Sequence, residues 1–132
     1  MEFSINALIA VLVSGLLVGW LAEFCYRSLE NKKIVWPLFV NVYMYGCTAI
    51  ASYVLYIFNP RPAVVVLVLF LFTTGMEFVT GYLFLAFKNV RLWDYSGCAC
   101  NYKGIICARF SLYWLGAALV YYYFVLPSTP GV

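Results

Sequence analysis

Glu23, Glu77 and Arg109 are ionisable residues within long apolar stretches of this sequence, and they are its strongest candidates for chemistry. A charged side chain is costly in an apolar segment, so it is expected to meet a partner or to face water. Glu77 lies eleven residues before Lys88 and has no other charge within ten positions on either side. Glu23 precedes Arg27 by four residues, which also fits a simple ion pair near a helix end.

Arg109 is the predicted partner of both carboxylates. It follows Gly104 by five residues, and the last apolar segment is expected to begin near Gly104. A long arginine side chain can bridge a modest difference in depth within a membrane. We therefore expect a cluster of Glu23, Arg109 and Glu77 in the cytoplasmic third of a helical bundle. Two interpretations remain open: a structural ion cluster that holds the helices together, or a substrate, ion or proton path.

The run Trp93-Asp94-Tyr95-Ser96 is the most distinctive loop motif. Its carboxylate is predicted to close an Asx-type turn with the serine, and its two aromatic residues are predicted to anchor that turn at a membrane interface. Asn101 is predicted to cap a helix that begins at Gly104. A well-formed connection between two spans is favoured over a gate or docking surface.

Several classes of chemistry lack support in this sequence. It contains no histidine, no glycine-rich phosphate loop and no paired nucleophile and base, so neither an enzyme nor a cofactor is expected. Cys98-Ala99-Cys100 has no histidine or second cysteine pair beside it, so no metal site is expected. The basic residues are spread over several loops, so nucleic-acid binding is not expected either.

Composition shows which elements must position these residues. Of 132 residues, 66% are hydrophobic and only 10% are charged, whereas soluble domains carry about 25% charge. The apolar residues form long runs without alternation, which indicates membrane helices of about 20 residues each. The sequence predicts an all-α, integral-membrane four-helix bundle in a single transmembrane domain, with spans at roughly residues 5–24, 36–58, 63–87 and 104–126.

A short internal repeat suggests how the helices are arranged. Gly19-Trp20-Leu21-Ala22-Glu23-Phe24 is similar to Thr74-Gly75-Met76-Glu77-Phe78. This similarity predicts two helical hairpins related by a pseudo-twofold axis along the membrane normal. Gly15 and Gly19 form a Gly-x-x-x-Gly pattern, which permits close helix packing within the bundle or in a homodimer.

The basic residues predict the orientation in the membrane. The loop between the second and third spans holds only Arg61, and the first and third loops hold the other basic loop residues. Those residues are Arg27, Lys32, Lys33, Lys88, Arg91 and Lys103. The positive-inside rule therefore predicts cytoplasmic first and third loops and both termini on the non-cytoplasmic side. The run at residues 121–123 is then expected to form an aromatic belt at the outer interface.

These motifs together resemble the family of small multi-span proteins described as putative ABC-transporter type IV, or CmpB-like. The residues that carry the resemblance are Trp20-Leu21-Ala22-Glu23, Tyr45-Gly46, Glu77-Phe78-Val79-Thr80-Gly81-Tyr82, Trp93-Asp94-Tyr95-Ser96, Asn101-Tyr102-Lys103-Gly104 and Trp114. The resemblance covers most of the sequence. It implies an all-helical membrane protein without an ATPase domain of its own.

The sequence departs from the family pattern at two places. The expected Asn-Arg-Gly stretch before the second span is missing, and Ile105 stands where an arginine commonly follows the glycine. Arg109, one helical turn later, is a candidate replacement for that charge. We expect an accessory or structural subunit that contacts the lipid bilayer and either other membrane subunits or a second copy. The alternative is a permease-like transport component that uses the Glu/Arg cluster.

Overall fold

The computed structural model describes residues 4–132 as an all-α bundle of four helices. The helices are α1 (Ile5–Asn31), α2 (Val42–Phe58), α3 (Pro62–Lys88) and α4 (Ala108–Val120). A 3-10 turn, Phe39–Asn41, precedes α2, and α4 continues through a π-helical turn, Tyr121–Val125, into a 3-10 turn, Leu126–Ser128. Together with the 3-10 and π turns that adjoin α2 and α4, each helix is long and apolar enough to cross a membrane. The predicted four-helix membrane bundle is confirmed.

Left-handed residues end the first three helices. Lys32, Asn59 and Asn89 all have positive φ angles directly after α1, α2 and α3. The amides of Lys32 and Asn59, and that of Val90 after α3, bond back to carbonyl oxygens near the end of the helix. Pro62 then begins α3, where its missing N–H costs nothing. The resulting connection between α2 and α3 is only three residues long, which makes these helices antiparallel neighbours.

The fourth helix begins later than the sequence predicted. Residues 101–107 form a small antiparallel hairpin, in which β1 (Asn101–Tyr102) pairs with β2 (Ile106–Cys107). Lys103 and Gly104 at its tip have φ angles of 53° and 67°, which an α-helix cannot contain. The predicted start at Gly104 is therefore wrong, and α4 begins at Ala108.

The helices pack most extensively as α1 against α2 and α3 against α4. Between α1 and α2 the contact is close because Gly15 faces Ala49 and Gly19 faces the Tyr45 ring. The Gly-x-x-x-Gly pattern thus serves packing within the bundle. The pseudo-twofold relation between the two hairpins stays a prediction.

The aromatic belt predicted at residues 121–123 is wrong for two of its three members. Tyr121 and Tyr122 are buried in the core, and only Tyr123 is exposed. The Tyr121 hydroxyl donates to the Val11 carbonyl oxygen at 2.9 Å, and the Tyr122 ring packs edge-on against Tyr56. The wider π-helical turn accompanies this burial, and π-turns change the helical register at which side chains project.

Gly15→Ala is expected to destabilise the bundle by about 1–3 kcal/mol, because the added methyl group would overlap the Ala49 Cβ. The matched control is Gly75→Ala on α3, where an added Cβ meets no atom within 4 Å. Both variants gain the same helix propensity, so their difference isolates the packing term. Thermal unfolding in mild detergent, followed by circular dichroism, measures it. Equal melting temperatures would contradict the described α1–α2 contact.

Candidate functional site

Glu23 is the most fully hydrogen-bonded carboxylate in the described part of the chain, although only 1% of it is exposed. Oε1 accepts from Arg27 Nη1, the Leu38 amide and Asn41 Nδ2, each at 3.1 Å. Oε2 accepts from Asn41 Nδ2 at 3.0 Å and from the Tyr45 hydroxyl. A cation and three further hydrogen-bond donors therefore surround this carboxylate, and both of its oxygens are satisfied although it is buried.

The elements around Glu23 fold so that the donors converge. The connector from residue 32 to residue 38 turns back towards α1, and the following 3-10 turn presents Asn41. Tyr45 lies one helical turn further along α2 and fits beside α1 because Gly19 has no side chain. The predicted i,i+4 pair of Glu23 with Arg27 is confirmed. The other donors were missed, although Asn41 within an apolar span is the kind of residue that indicates one.

Glu77 is the second buried carboxyl, with 4% of its surface exposed, and it has far fewer partners. The Tyr95 hydroxyl donates to Oε1 at 2.8 Å. Trp114 approaches the carboxyl from α4, but no donor among the described residues reaches Oε2 with the geometry of a hydrogen bond. None of the three ion pairs within residues 4–132 includes Glu77. This carboxyl therefore lies deep in the bundle without a cation.

Two small cavities lie between the helices of the bundle, and Glu77 lines one of them. One has a volume of about 30 Å³ and is lined by Glu77 together with Met44, Met76 and four further residues. The other has a volume of about 50 Å³ and extends towards α1. The two share four lining residues, Tyr45, Thr48, Thr73 and Trp114. This interior has room for a few water molecules, each needing at least about 10–15 Å³ by this measure.

Arg109 does not join the two carboxyls, so the predicted Glu23–Arg109–Glu77 cluster is wrong. Its guanidinium pairs with Glu30 near the end of α1, and the side chains of Arg109 and Glu30 are 64% and 36% exposed. The physical reason is the late start of α4 at Ala108. Arg109 then occupies the first turn of the helix, where its side chain reaches the bundle surface instead of the interior.

The loop motif folds around Asp94 and Gly104. Asp94 Oδ1 accepts from the Ser96 amide at 3.0 Å, which confirms the Asx-type turn. These hydrogen bonds from Ser96 hold the pKa of the Asp94 carboxyl below its ordinary value. A Cβ on Gly104 would lie 2.7 Å from Arg91 Nη1 and 2.8 Å from Asp94 Oδ1. Gly104 is thus required both for its positive φ and for this close approach.

Asn101 has a different role from the predicted helix cap. Its Oδ1 accepts from the Gly104 amide at 3.0 Å, and its Nδ2 donates to the carbonyl oxygens of Ser96 and Cys98. The residue before α4 is Cys107, which makes no side-chain capping bond. The cap prediction is therefore wrong, and Asn101 instead closes the loop on itself.

The two aromatic residues of the motif pack against the helices, with Tyr95 buried and Trp93 half-buried. The Trp93 indole N–H donates to the Ile105 carbonyl oxygen at 2.7 Å, and its ring lies near Gly81 of α3. Tyr95 is only 5% exposed and stacks on Phe110 of α4, with ring centroids 4.4 Å apart. Burial, together with the neighbouring Glu77 carboxyl, raises the pKa of the Tyr95 hydroxyl, so it stays a hydrogen-bond donor. The sequence predicted interfacial anchors here and gave no sign of the contact with Glu77.

Glu23→Gln is expected to destabilise the protein by about 3–5 kcal/mol, because it leaves the half-buried Arg27 guanidinium without its counter-ion. The matched control is Glu30→Gln, which breaks the exposed pair with Arg109 and should cost no more than about 1 kcal/mol. Unfolding in mild detergent measures both. If the two variants lose equal stability, the Glu23 network does not hold the first hairpin together.

Comparison with known proteins identifies the family of this sequence. Neither a curated protein nor a solved structure matches the sequence. A family model described as "Putative ABC-transporter type IV" matches residues 10–131, which include most of α1, all of α2 to α4, both buried carboxyls and the Trp-Asp-Tyr-Ser loop. Because the match covers far more than half of the sequence, the chain belongs to this ABC-transporter type IV family.

Proposed function

We propose that this protein is an accessory or structural membrane subunit of an ABC-transporter-related complex. In this role it acts through contacts with other membrane proteins and carries no solute through its own interior. The observation that carries the proposal is the small volume of the cavities inside the bundle. These cavities of about 30 and 50 Å³ are far smaller than the 300–1,000 Å³ typical of pockets for organic ligands.

The charged residues support the same proposal. A transport path needs ionisable groups that are free to meet the solute. The Glu23 carboxylate is instead occupied by its ring of donors, and Arg109 is paired with Glu30 at the surface. These two charged groups therefore stabilise the arrangement of helices. Glu77 is the exception, because its Oε2 is buried and lacks a partner within the described chain.

The family match supports a role related to ABC transporters. The 132 residues contain no phosphate-binding loop of the Gly-x-x-x-x-Gly-Lys-Ser/Thr type. ATP hydrolysis in such a system would be performed by residues outside this sequence. The polar groups of the Glu23 network are hydrogen-bonded within the α1–α2 hairpin. A small bundle of this kind is suited to packing its apolar outer surface against a larger membrane protein.

Purification of the tagged protein from its native membrane in mild detergent is expected to yield a complex with at least one other membrane protein at a fixed ratio. Native mass spectrometry measures that ratio, and an unrelated tagged four-helix membrane protein is the control for detergent carry-over. Recovery of the chain alone, as a monomer or a homodimer across several mild detergents, would contradict the accessory role.

A permease-like component is the second candidate, because Glu77 has a free oxygen beside an internal cavity. This alternative predicts a flux across proteoliposomes that contain the purified protein, and loss of that flux in Glu77→Gln. The accessory role predicts that wild type and variant give the same flux as empty liposomes. Glu30→Gln is the control that changes a carboxylate outside the bundle interior.

We also propose that both termini face the non-cytoplasmic side. A membrane-impermeant maleimide should then label Arg61→Cys in sealed right-side-out vesicles, since Arg61 is exposed in the α2–α3 turn. Cys100 is exposed in the opposite loop and should react only after permeabilisation. Each residue is tested as the single cysteine of its variant, with the other cysteines changed to serine. Labelling of Cys100 in intact vesicles would contradict this orientation and would indicate that both termini face the cytoplasm.

A further inference from the structure

The two buried carboxyls of this protein are in opposite electrostatic situations. Glu23 receives hydrogen bonds on both oxygens and has Arg27 at 3.1 Å. Glu77 receives one bond, from the Tyr95 hydroxyl, and its second oxygen is buried without a partner in the described chain. A buried carboxylate without a cation is strongly penalised, whereas a neutral carboxyl of the same shape needs only hydrogen bonds.

We propose that Glu77 carries a proton on Oε2 and that this carboxyl, with the cavity beside it, forms a proton-binding site that holds one or two water molecules. In this state Oε1 accepts from Tyr95, and the O–H group on Oε2 donates into the cavity. Every polar atom of the side chain then has a hydrogen-bond role. The site goes beyond the accessory role proposed above and does not depend on it.

The cavity is large enough for a water molecule, and several of its lining residues have polar groups. Its volume of about 30 Å³ exceeds the minimum of about 10–15 Å³ for one water. Thr48, Thr73 and Trp114 share the lining with Glu77, and the side chain of each has a polar group able to bond water. The Thr73 hydroxyl donates to the Leu69 carbonyl oxygen at 2.9 Å, which leaves its oxygen able to accept from water.

The groups that face Glu77 from the neighbouring elements supply no cation to compete with the proton. The loop contributes Tyr95, and α1 contributes Tyr26, whose hydroxyl lies 3.5 Å from that of Tyr95. The Tyr45 ring on α2 lines the cavity, and its hydroxyl is committed to Glu23. On α4 the facing side chain is Trp114, which does not titrate. Glu23, the other buried carboxyl, is an acidic residue and supplies no positive charge to Glu77.

The proton site is mechanically connected to the cytoplasmic loop predicted from the sequence. Tyr95 belongs to a small buried cluster with Cys107 and Phe110 at the start of α4. Loss of the proton would leave an anion with a single donor, and water or a shifted loop would be needed to solvate it. Proton occupancy at Glu77 is therefore coupled to the position of Tyr95 and of the loop that carries it.

Infrared spectroscopy of the full chain in proteoliposomes tests the proposal directly. At neutral pH the wild type is expected to show a carboxylic-acid C=O stretching band that disappears in Glu77→Gln and persists in Glu23→Gln. In Tyr95→Phe the band should remain but move to higher frequency, because Oε1 loses its hydrogen-bond donor. This variant keeps the test valid if Glu77→Gln does not fold.

Thermal unfolding gives a second, independent readout. Glu77→Gln replaces one neutral group by another and should leave the melting temperature nearly unchanged, while Glu23→Gln lowers it clearly. Absence of a carboxylic-acid band in the wild type, or its persistence in folded Glu77→Gln, would overturn the proposal. A drop in melting temperature for Glu77→Gln as large as that for Glu23→Gln would overturn it as well. None of these outcomes depends on whether a partner protein co-purifies.

Discussion

The structure depends first on how the Glu23 carboxylate is neutralised inside the bundle. Donors from α1, from the connector and from α2 all converge on this one side chain. In a bilayer, where apolar side chains gain little by leaving lipid, such polar contacts and close backbone packing decide which helices associate. The Glu23 network and the glycine contact between α1 and α2 therefore specify the first hairpin together.

The second hairpin, α3 and α4, accommodates its buried carboxyl in a different way. Glu77 lies at a related position in the internal repeat, but it has neither an arginine one turn later nor an asparagine opposite. Its one hydrogen-bond donor comes from the loop that joins α3 to α4. The two similar segments therefore both contain a buried carboxyl, but the groups around the two carboxyls differ. In the described residues, the carboxyl of the first hairpin is paired with an arginine, and the carboxyl of the second hairpin has no cation.

Sequence patterns predicted the fold class and the helices well, because long apolar runs leave few alternatives in a membrane protein. The Glu23–Arg27 pair and the Asx turn at Asp94 were also predictable, since both are contacts over four residues or fewer. The position of Arg109 was not, because it depends on a short hairpin that delays α4 by a single helical turn. The contact of Tyr95 with Glu77 joins residues eighteen positions apart across a loop and has no local signature.

The connectivity of the Glu23 network bears on how the protein is made. All of its donors lie between residues 27 and 45, so the network is complete as soon as α2 has been synthesised. The first hairpin can then enter the membrane with its buried charge already compensated. Glu77 must wait for the following loop and for α4 before its surroundings exist. The order of the chain therefore allows the Glu23 network to form first during insertion, before the surroundings of Glu77 are complete.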